Sequence, residues 1–382
     1  TRLNPSSAQM EAHRKFTKWA LDQGVEINSV APHRFPGKGL GIIAEKDFKA
    51  GEILLKVPTT ALRTVHTVPK STSGAIGTIT VHGLLAAELS LDTSTRFAPW
   101  QAVLPTHADF LDSMPLLWDA RLQELLPEAS KTLLDNQKRK LTSDWAAVSK
   151  AFPQLEYEKY LYNWLIVNTR TFYFVKSKSK KQPAPDDCMA LNPFADYFNH
   201  ASAGAEVSFT AKGYQICTHA PVKEGDEIYI SYGTHSNDFL LVEYGFIFPQ
   251  GENAHDNISL DSFILPLLNE KQREILKRAG YLGKYVMDRD SVCYRTQIAL
   301  QMLCLPLRKW QRVVDGLDDG EKHQGSVDQL LATILSRYHS HTSEILVNVT
   351  KVDSTLAGQE TLSKRWEQIR LLIQATANRI QR

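Results

Sequence analysis

Three stretches of the chain hold the groups that could do chemistry. The first is Pro36-Gly37-Lys38-Gly39-Leu40-Gly41, where glycines let the backbone approach a ligand closely. The second is NPFADYFNHAS, residues 192–202, which carries Asp196, Asn199 and His200. The third runs through GDEIYISYG and VEYGF, residues 225–246, and supplies Ile230, Tyr232, Tyr244 and Phe246. Each has a plain reading when taken alone. An Asn-His pair suits a polar loop, strand tyrosines satisfy their hydroxyls locally, and KEGDE is a common turn.

The segment after the glycines decides what they can hold. A dinucleotide fingerprint or a P-loop needs a helix directly after them. Here Ile42 to Val57 reads as strand, turn and strand, with Lys49-Ala50-Gly51 at the turn. GK[ST] is absent, and the chain has no HRD or DFG that would make the run a kinase loop. The usual nucleotide sites, and a Rossmann-type methyltransferase, are thereby excluded. Cys188, Cys217, Cys293 and Cys304 stand far apart with no CxxC, so no metal site is expected.

The elements that must position these stretches change character along the chain. Residues 6–23 read as a helix, with Ser6 and Gln9 as a capping box, Gly24 as its stop, and Met10, His13, Phe16 and Ala20 along one face. Residues 66–80 read as a loop. Helices are expected over 81–91, 116–126, 128–151 and 155–174, with Trp100, Trp118, Trp145 and Trp164 as packing residues. KSKSKKQPAPDD, 176–187, reads as a solvated basic loop. VSFTA and YQICTHA alternate about Lys212-Gly213 as a hairpin. Helices then return over 263–280, 289–305, 326–339 and 358–380. In the last of these, Trp366, Ile369, Ile373 and Ile380 recur at helical spacing.

Composition is that of an ordinary globular protein. Apolar residues make up 43% and charged residues 23% of 382, with a net charge of +2. No apolar run reaches the length of a membrane span. The charge gives no global reason to expect nucleic acid. Cysteine usage fits a reducing compartment, cytoplasm or nucleus. The chain opens Thr1-Arg2-Leu3 without Met, which reads as a trimmed start.

Together and in this order, the three stretches resemble the SET-domain methyltransferases, and within them the Rubisco large-subunit lysine methyltransferase group. The resemblance spans nearly the whole chain. It includes FxxWALDxGVEIN near the start, GLG followed by KDFKAGEILLKVP, FAPWQAVLP, YNWLIVNTRTF, PFADYFNH and GDEIYISYGTHSNDFLLVEYGF. It implies an α+β fold: a mainly-β core with a pseudoknot-like C-terminal part, a long helical insert over about 81–180, and an all-α C-terminal domain. The implied division is a methyltransferase domain at 1–258 and a substrate-binding helical domain at 259–382. The implied activity is protein-lysine N-methylation, with S-adenosylmethionine as cofactor and S-adenosylhomocysteine as product. The implied substrate is a non-histone protein of the ribosomal-protein or translation-factor kind, handled by a monomer. Two alternatives stay open: a protein-histidine methyltransferase on the same scaffold, and a binding module without activity.

The resemblance also assigns residues. Backbone at Lys38, Gly39 and Leu40 would hold the methionine part of the cofactor, and Asn199 and His200 would bind it through side chain and backbone. Arg170 would lie near both cofactor and substrate lysine. Asp196 and Ile230 would line the lysine side, Tyr232 would be catalytic, and Tyr244 and Phe246 would wall the lysine channel and cofactor pocket. The residue types suit the chemistry. A sulfonium methyl is already activated, so alignment is the main task and no metal is needed. The attacking amine must be neutral, although a free lysine titrates near about 10.4, and a narrow aromatic channel lowers that value by desolvation. The sequence departs from its relatives at Thr169, where many have Ser, and at Lys38, where many have an acidic residue. YGTHSN resembles the YGTRSN of an actin-histidine methyltransferase, with His235 in place of its arginine.

Overall fold

A computed structural model describes residues 7–35, 39–175 and 187–380. They pack as two units, 1–110 with 137–234 and 111–136 with 235–382. Among the described residues, the first unit contains ten strands: β1 Glu26–Ile27, β2 Val30–Phe35, β3 Gly39–Ala44, β4 Ile53–Pro58, β5 Arg63–Thr64, β6 Thr171–Tyr173, β7 Met189–Leu191, β8 Asn199–Thr210, β9 Gly213–Cys217 and β10 Glu227–Ile230. Seven form one sheet in the order β1-β4-β9-β8-β10-β3-β2, and three form a second in the order β5-β7-β6.

The sheet follows from alternation. In β10, Ile228 and Ile230 are buried while Glu227 and Tyr229 point to the other face. Leu54, Leu55 and Val57 give β4 its buried side. The β8–β9 hairpin turns as VSFTA and YQICTHA predict. Gly213, at φ +136°, is required there, because a Cβ would collide with the Val57 carbonyl. The strands expected over Ile42–Val57 form as β3 and β4, but they do not pair with each other. β3 pairs with β2 and β10, and β4 with β1 and β9. The intervening turn is tied instead to the later strands, through the Phe48–Val222 bridge and the Thr218 contacts with Lys49 and Glu52. β10 lies between β8, to which it is parallel, and β3, to which it is antiparallel.

The helical insert begins at Val81–Leu91, whose cap Thr80 accepts from Gly83 N–H. His82 stacks on Trp164 at 4.0 Å, and Thr80 Oγ1 and Trp164 Nε1 donate to the buried Asp144. Glu128–Ala151 is the long insert helix, and Tyr157–Arg170 leads back to the sheets. That last helix stops at Arg170 rather than 174, because Thr171–Tyr173 is taken up as β6 opposite β7. The expected 116–126 helix breaks into a 3-10 turn, Pro115–Leu117, and a short helix, Ala120–Gln123, capped by Asp119. The 66–80 loop contains the helix Lys70–Ile76. Among the packing tryptophans, Trp100, Trp118 and Trp164 are buried, as expected. The opening helix is Ser7–Asp22; its Ser6 cap and most of the basic 176–187 loop fall outside the described residues.

The second unit is helical about one apolar core that includes Trp310, Tyr285, Leu335, Trp366, Ile369 and Ile373. The 263–280 helix is interrupted at Pro266 and resumes as Glu270–Arg278. The next helix starts at Tyr294 because Val286–Asp288 pairs with Asn257–Ser259. Leu307–Val314 adds a helix that the sequence pattern does not announce, and two long helices come after it, Gln324–Val349 and Leu356–Ile380. Arg365, wholly buried, donates to Asp238 through Nε at 3.0 Å and Nη2 at 2.9 Å, and to Asp256 through Nη1 at 2.7 Å. Ser130 Oγ completes this network by donating to Asp238 at 2.8 Å.

Candidate active site

The start of β8 and the end of β10 are held together by an irregular ladder. Tyr229 pairs with Asn199, but the next residue, Ile230, pairs with Ala205. Residues 200–204 are therefore lifted out of the ladder, and His200 with them. His200 is buried and stacks on Tyr232, with ring centroids 4.9 Å apart and planes 14° from parallel. The Tyr232 backbone N–H donates to His200 Nδ1 at 3.0 Å. A backbone N–H can only donate, so Nδ1 is unprotonated and the imidazole carries its proton elsewhere. The nearby Ile230 carbonyl, 3.4 Å from the same nitrogen, is then a contact rather than a hydrogen bond. Tyr232 Oη donates to the Phe198 carbonyl at 2.7 Å, which fixes the phenol as well as the main chain.

Asn199 is tied on its other side. Its Nδ2 donates to the Leu40 carbonyl at 2.9 Å and to Glu227 Oε1 at 2.7 Å, and Tyr229 Oη donates to the other Glu227 oxygen. Both amide protons of Asn199 therefore stay within the protein, binding the glycine run to β8 and β10. The same arrangement explains Gly41. A Cβ there would stand 2.5 Å from Glu227 Oε1 and 2.7 Å from Asn199 Nδ2, closer than any real contact allows. The need for glycine is thus imposed by two residues more than 150 positions away, which no local pattern could reveal.

A second node adjoins the NPFADYFNH stretch. Asp196 sits on the 3-10 turn Ala195–Tyr197 and is almost wholly buried. Its Oδ2 accepts from Trp100 Nε1 at 3.0 Å, a role beyond the packing expected of that tryptophan. Arg170 Nη1 donates to the Asp196 carbonyl at 2.7 Å and lies 3.8 Å from its carboxylate. Burial raises the Asp196 carboxyl above its ordinary range, and the Arg170 charge and the Trp100 bond only partly offset that. Trp100 is the site residue that sequence reasoning passes over; its place in FAPWQAVLP is the available signal.

The structure brings together Leu40, Asn199, His200, Ile230 and Tyr232 through these contacts, and separately Arg170 with Asp196. Gly39 opens β3 at φ +89°. Lys38 lies outside the described residues. Tyr244 and Phe246 belong to the second unit. There Tyr244 ends the helix Asn237–Tyr244, and half-buried rings succeed one another from His235 on Phe239, through Tyr244 and Phe246, to Phe248. Burial pushes the Tyr244 phenol up to about 12, so it stays protonated at neutral pH.

Comparison with known families agrees with this geometry. The SET domain model matches residues 39–233. The chain belongs to the SET-domain family. A second model, the ribosomal lysine N-methyltransferase 2 C-terminal domain, matches residues 256–378 of this SET-domain protein. Similar curated proteins include mouse SET domain-containing protein 4, 26% identical over 98% of this chain and 94% of its own. Ribosomal lysine N-methyltransferase set11 of Schizosaccharomyces pombe is 24% identical over 83% of this chain and 84% of its own. Among solved structures, Rubisco LSMT bound to AdoMet superposes with a TM-score of 0.64 at 16% identity, covering 99% of this chain and 92% of that one. The α+β class with a SET-type sheet core and a helical C-terminal region is therefore the fold of this chain.

The residues also fit S-adenosylmethionine. A sulfonium is a cation, best met by carbonyls, neutral amides and aromatic faces. The Leu40, Phe198 and Ile230 carbonyls, the Asn199 amide oxygen, the neutral His200 ring and the Tyr232 phenol are such a set. Among the described residues, no cluster of His, Cys, Asp and Glu is arranged to hold a metal ion.

Proposed function

We propose that this protein is an S-adenosylmethionine-dependent protein-lysine N-methyltransferase. The observation that carries the reading is the doubly fixed Tyr232, anchored at its backbone by His200 and at its hydroxyl by Phe198, within the matched SET segment. Bound S-adenosylmethionine would supply an electrophilic methyl group that needs no further activation. In this reading the backbone at Gly39 and Leu40 holds the cofactor together with Asn199 and His200. Tyr232 orients the substrate amine beside the Phe198 and Ile230 carbonyls, and the proton leaves through water. Arg170 and Asp196 shape the lysine side. Nucleophilic attack is then chiefly a matter of alignment.

The substrate fitting this reading is a lysine on a ribosomal protein or translation factor, supported by the ribosomal lysine methyltransferases among its relatives. The helical part from 259 onward is assigned to holding that substrate. Truncation at 258 is a poor test of the assignment. Leu122, Leu126 and Leu241 share one apolar core with Ile298, Leu335 and Trp366, so the cut would tear that core open. Substitutions on exposed helix faces are the cleaner probe. Among the described residues, no helix is long and apolar enough to cross a membrane.

The deciding experiment is incubation with tritiated S-adenosylmethionine and a cell lysate, followed by mass spectrometry of the labelled band. A methylated lysine is expected; label only on histidine would overturn the residue class. Tyr232→Phe removes one hydroxyl and little volume. Cofactor binding should persist while turnover falls by about two orders of magnitude. Were Tyr232 only a packing residue, the variant would lose about 1 kcal/mol of stability and keep a rate within threefold of wild type.

A further inference from the structure

Within NPFADYFNHAS, Asn192 has two buried polar atoms that the proposed chemistry leaves unexplained. It is wholly buried, yet neither its Oδ1 nor its Nδ2 bonds any protein group. Leaving such an amide unpaired costs about 1–3 kcal/mol for each group, so buried amides normally have partners. Arg170 Nε is also buried and lacks a protein partner. These two orphans are neighbours in the fold. Thr171 pairs with Leu191 across the β6–β7 ladder, and Arg170 and Asn192 each stand one residue beyond that pair at the same end. Both bond to the main chain of Asp196: Arg170 through Nη1 to its carbonyl at 2.7 Å, and Asn192 through its own carbonyl, which accepts from Asp196 N–H at 3.2 Å. The backbone between them is strained, since Phe194, bulky and fully buried, is held at φ +69°. A non-glycine residue persists there only where its surroundings over-determine it, a condition that recurs at functional sites.

The complementary needs point to one partner. Arg170 Nε–H can only donate, Asn192 Oδ1 can only accept, and Asn192 Nδ2 donates again. A single water satisfies two to four such groups. We propose that Asn192 and Arg170 Nε share one bound water, and that Asn192 is thereby a positioning residue for the reaction, setting the angle from which Arg170 meets Asp196. The inference rests on the methyltransferase reading and deepens it. It makes the Arg170–Asp196 node depend on a residue that touches neither cofactor nor substrate.

The test joins one structure with one substitution series. A crystal structure of the wild-type protein at about 1.5 Å should show an ordered water within hydrogen-bond distance of Arg170 Nε and an Asn192 amide atom. Asn192→Leu removes both polar atoms, while Asn192→Ser restores a hydroxyl and room for a second water. Initial rates are read with tritiated S-adenosylmethionine at saturation, against lysate proteins from cells lacking the enzyme. Asn192→Leu should lose about tenfold or more in rate with its melting temperature held or raised, because a buried unpaired amide is gone. Asn192→Ser should recover to within about threefold of wild type, which a purely structural role would not produce. A rate for Asn192→Leu within twofold of wild type overturns the proposal. If wild type labels no protein at all, the methyltransferase reading fails, and the water node is judged by the crystal structure alone. If Asn192→Leu does not fold, the same density decides: a shared water upholds the node, and its absence or a direct protein partner for either group refutes it.

Discussion

Each unit sets an arginine against a buried carboxylate, Arg365 against Asp238 and Arg170 against Asp196, and these two nodes are built differently. In the second unit, Arg365 has no exposure and spends all three guanidinium nitrogens, pairing bidentately with Asp238 and again with Asp256. Its two carboxylates lie at full hydrogen-bond contact. In the first unit, Arg170 is about a quarter exposed, reaches the Asp196 carboxylate only at 3.8 Å, and leaves Nε without a protein partner. Burial leaves the Asp196 carboxyl raised above its ordinary range. A closed network fixes a core, whereas an under-satisfied one keeps charge and donors in reserve at a cost in stability. Under the proposed function, the difference separates a device for holding helices together from one that serves the chemistry.

The largest expected effect tests the closed side. Arg365→Met leaves Asp238 and Asp256 buried without their cation and should cost about 3–5 kcal/mol. Urea unfolding at neutral pH measures it, and a loss below about 1 kcal/mol would mean that the network is ornamental. Arg170→Met is the counterpart. It should cost clearly less unfolding free energy than Arg365→Met, since Arg170 is partly exposed and stands 3.8 Å from the carboxylate. Methyl transfer should nevertheless fall by about tenfold or more. If stability fell as far as in Arg365→Met, the contrast between the two nodes would be wrong.

A smaller effect separates the carboxylates by sign. A carboxyl raised in the folded state favours the protonated form, so it removes stability as pH climbs from its ordinary value through its folded value. Asp196→Asn should therefore raise the melting temperature at neutral pH and leave it little changed in acid, while slowing methyl transfer. Asp238→Asn should do the reverse at neutral pH, lowering the melting temperature by weakening the Arg365 pair. Equal destabilisation by both would erase the distinction.

A further predicted effect concerns acid. His82, wholly buried against Trp164, is pulled down to about 3. Its neutral form contributes stability above about 6.5, and that contribution is lost as pH falls from there toward about 3. His82→Gln should flatten the melting temperature between those values. An unchanged pH slope would show that acid sensitivity arises elsewhere.

How much of this is legible in the sequence varies with range. Helices such as Val81–Leu91 and Glu128–Ala151 can be read to the residue, because caps, prolines and periodicity are local signals. Expectation and structure part where a distant segment intervenes. Tyr157–Arg170 stops early because β7 captures the next three residues, and the β3 and β4 strands separate because β8, β9 and β10 occupy the places between them.

By itself, the sequence determined the family pattern, the order of the three chemical stretches, the apolar faces and the residue types suited to a cationic methyl donor. These depend on identity and spacing along the chain. Only the tertiary structure decided that Asn199 spends its amide on Leu40 and Glu227, that Gly41 has no room for a methyl group, and that Trp100 holds Asp196. Only it showed that Arg170 and Asn192 are both left with unpaired polar atoms at one end of a ladder. Hydrogen-bond satisfaction and steric room are set by atoms that meet across the fold, and a linear spacing carries no record of which atoms those are.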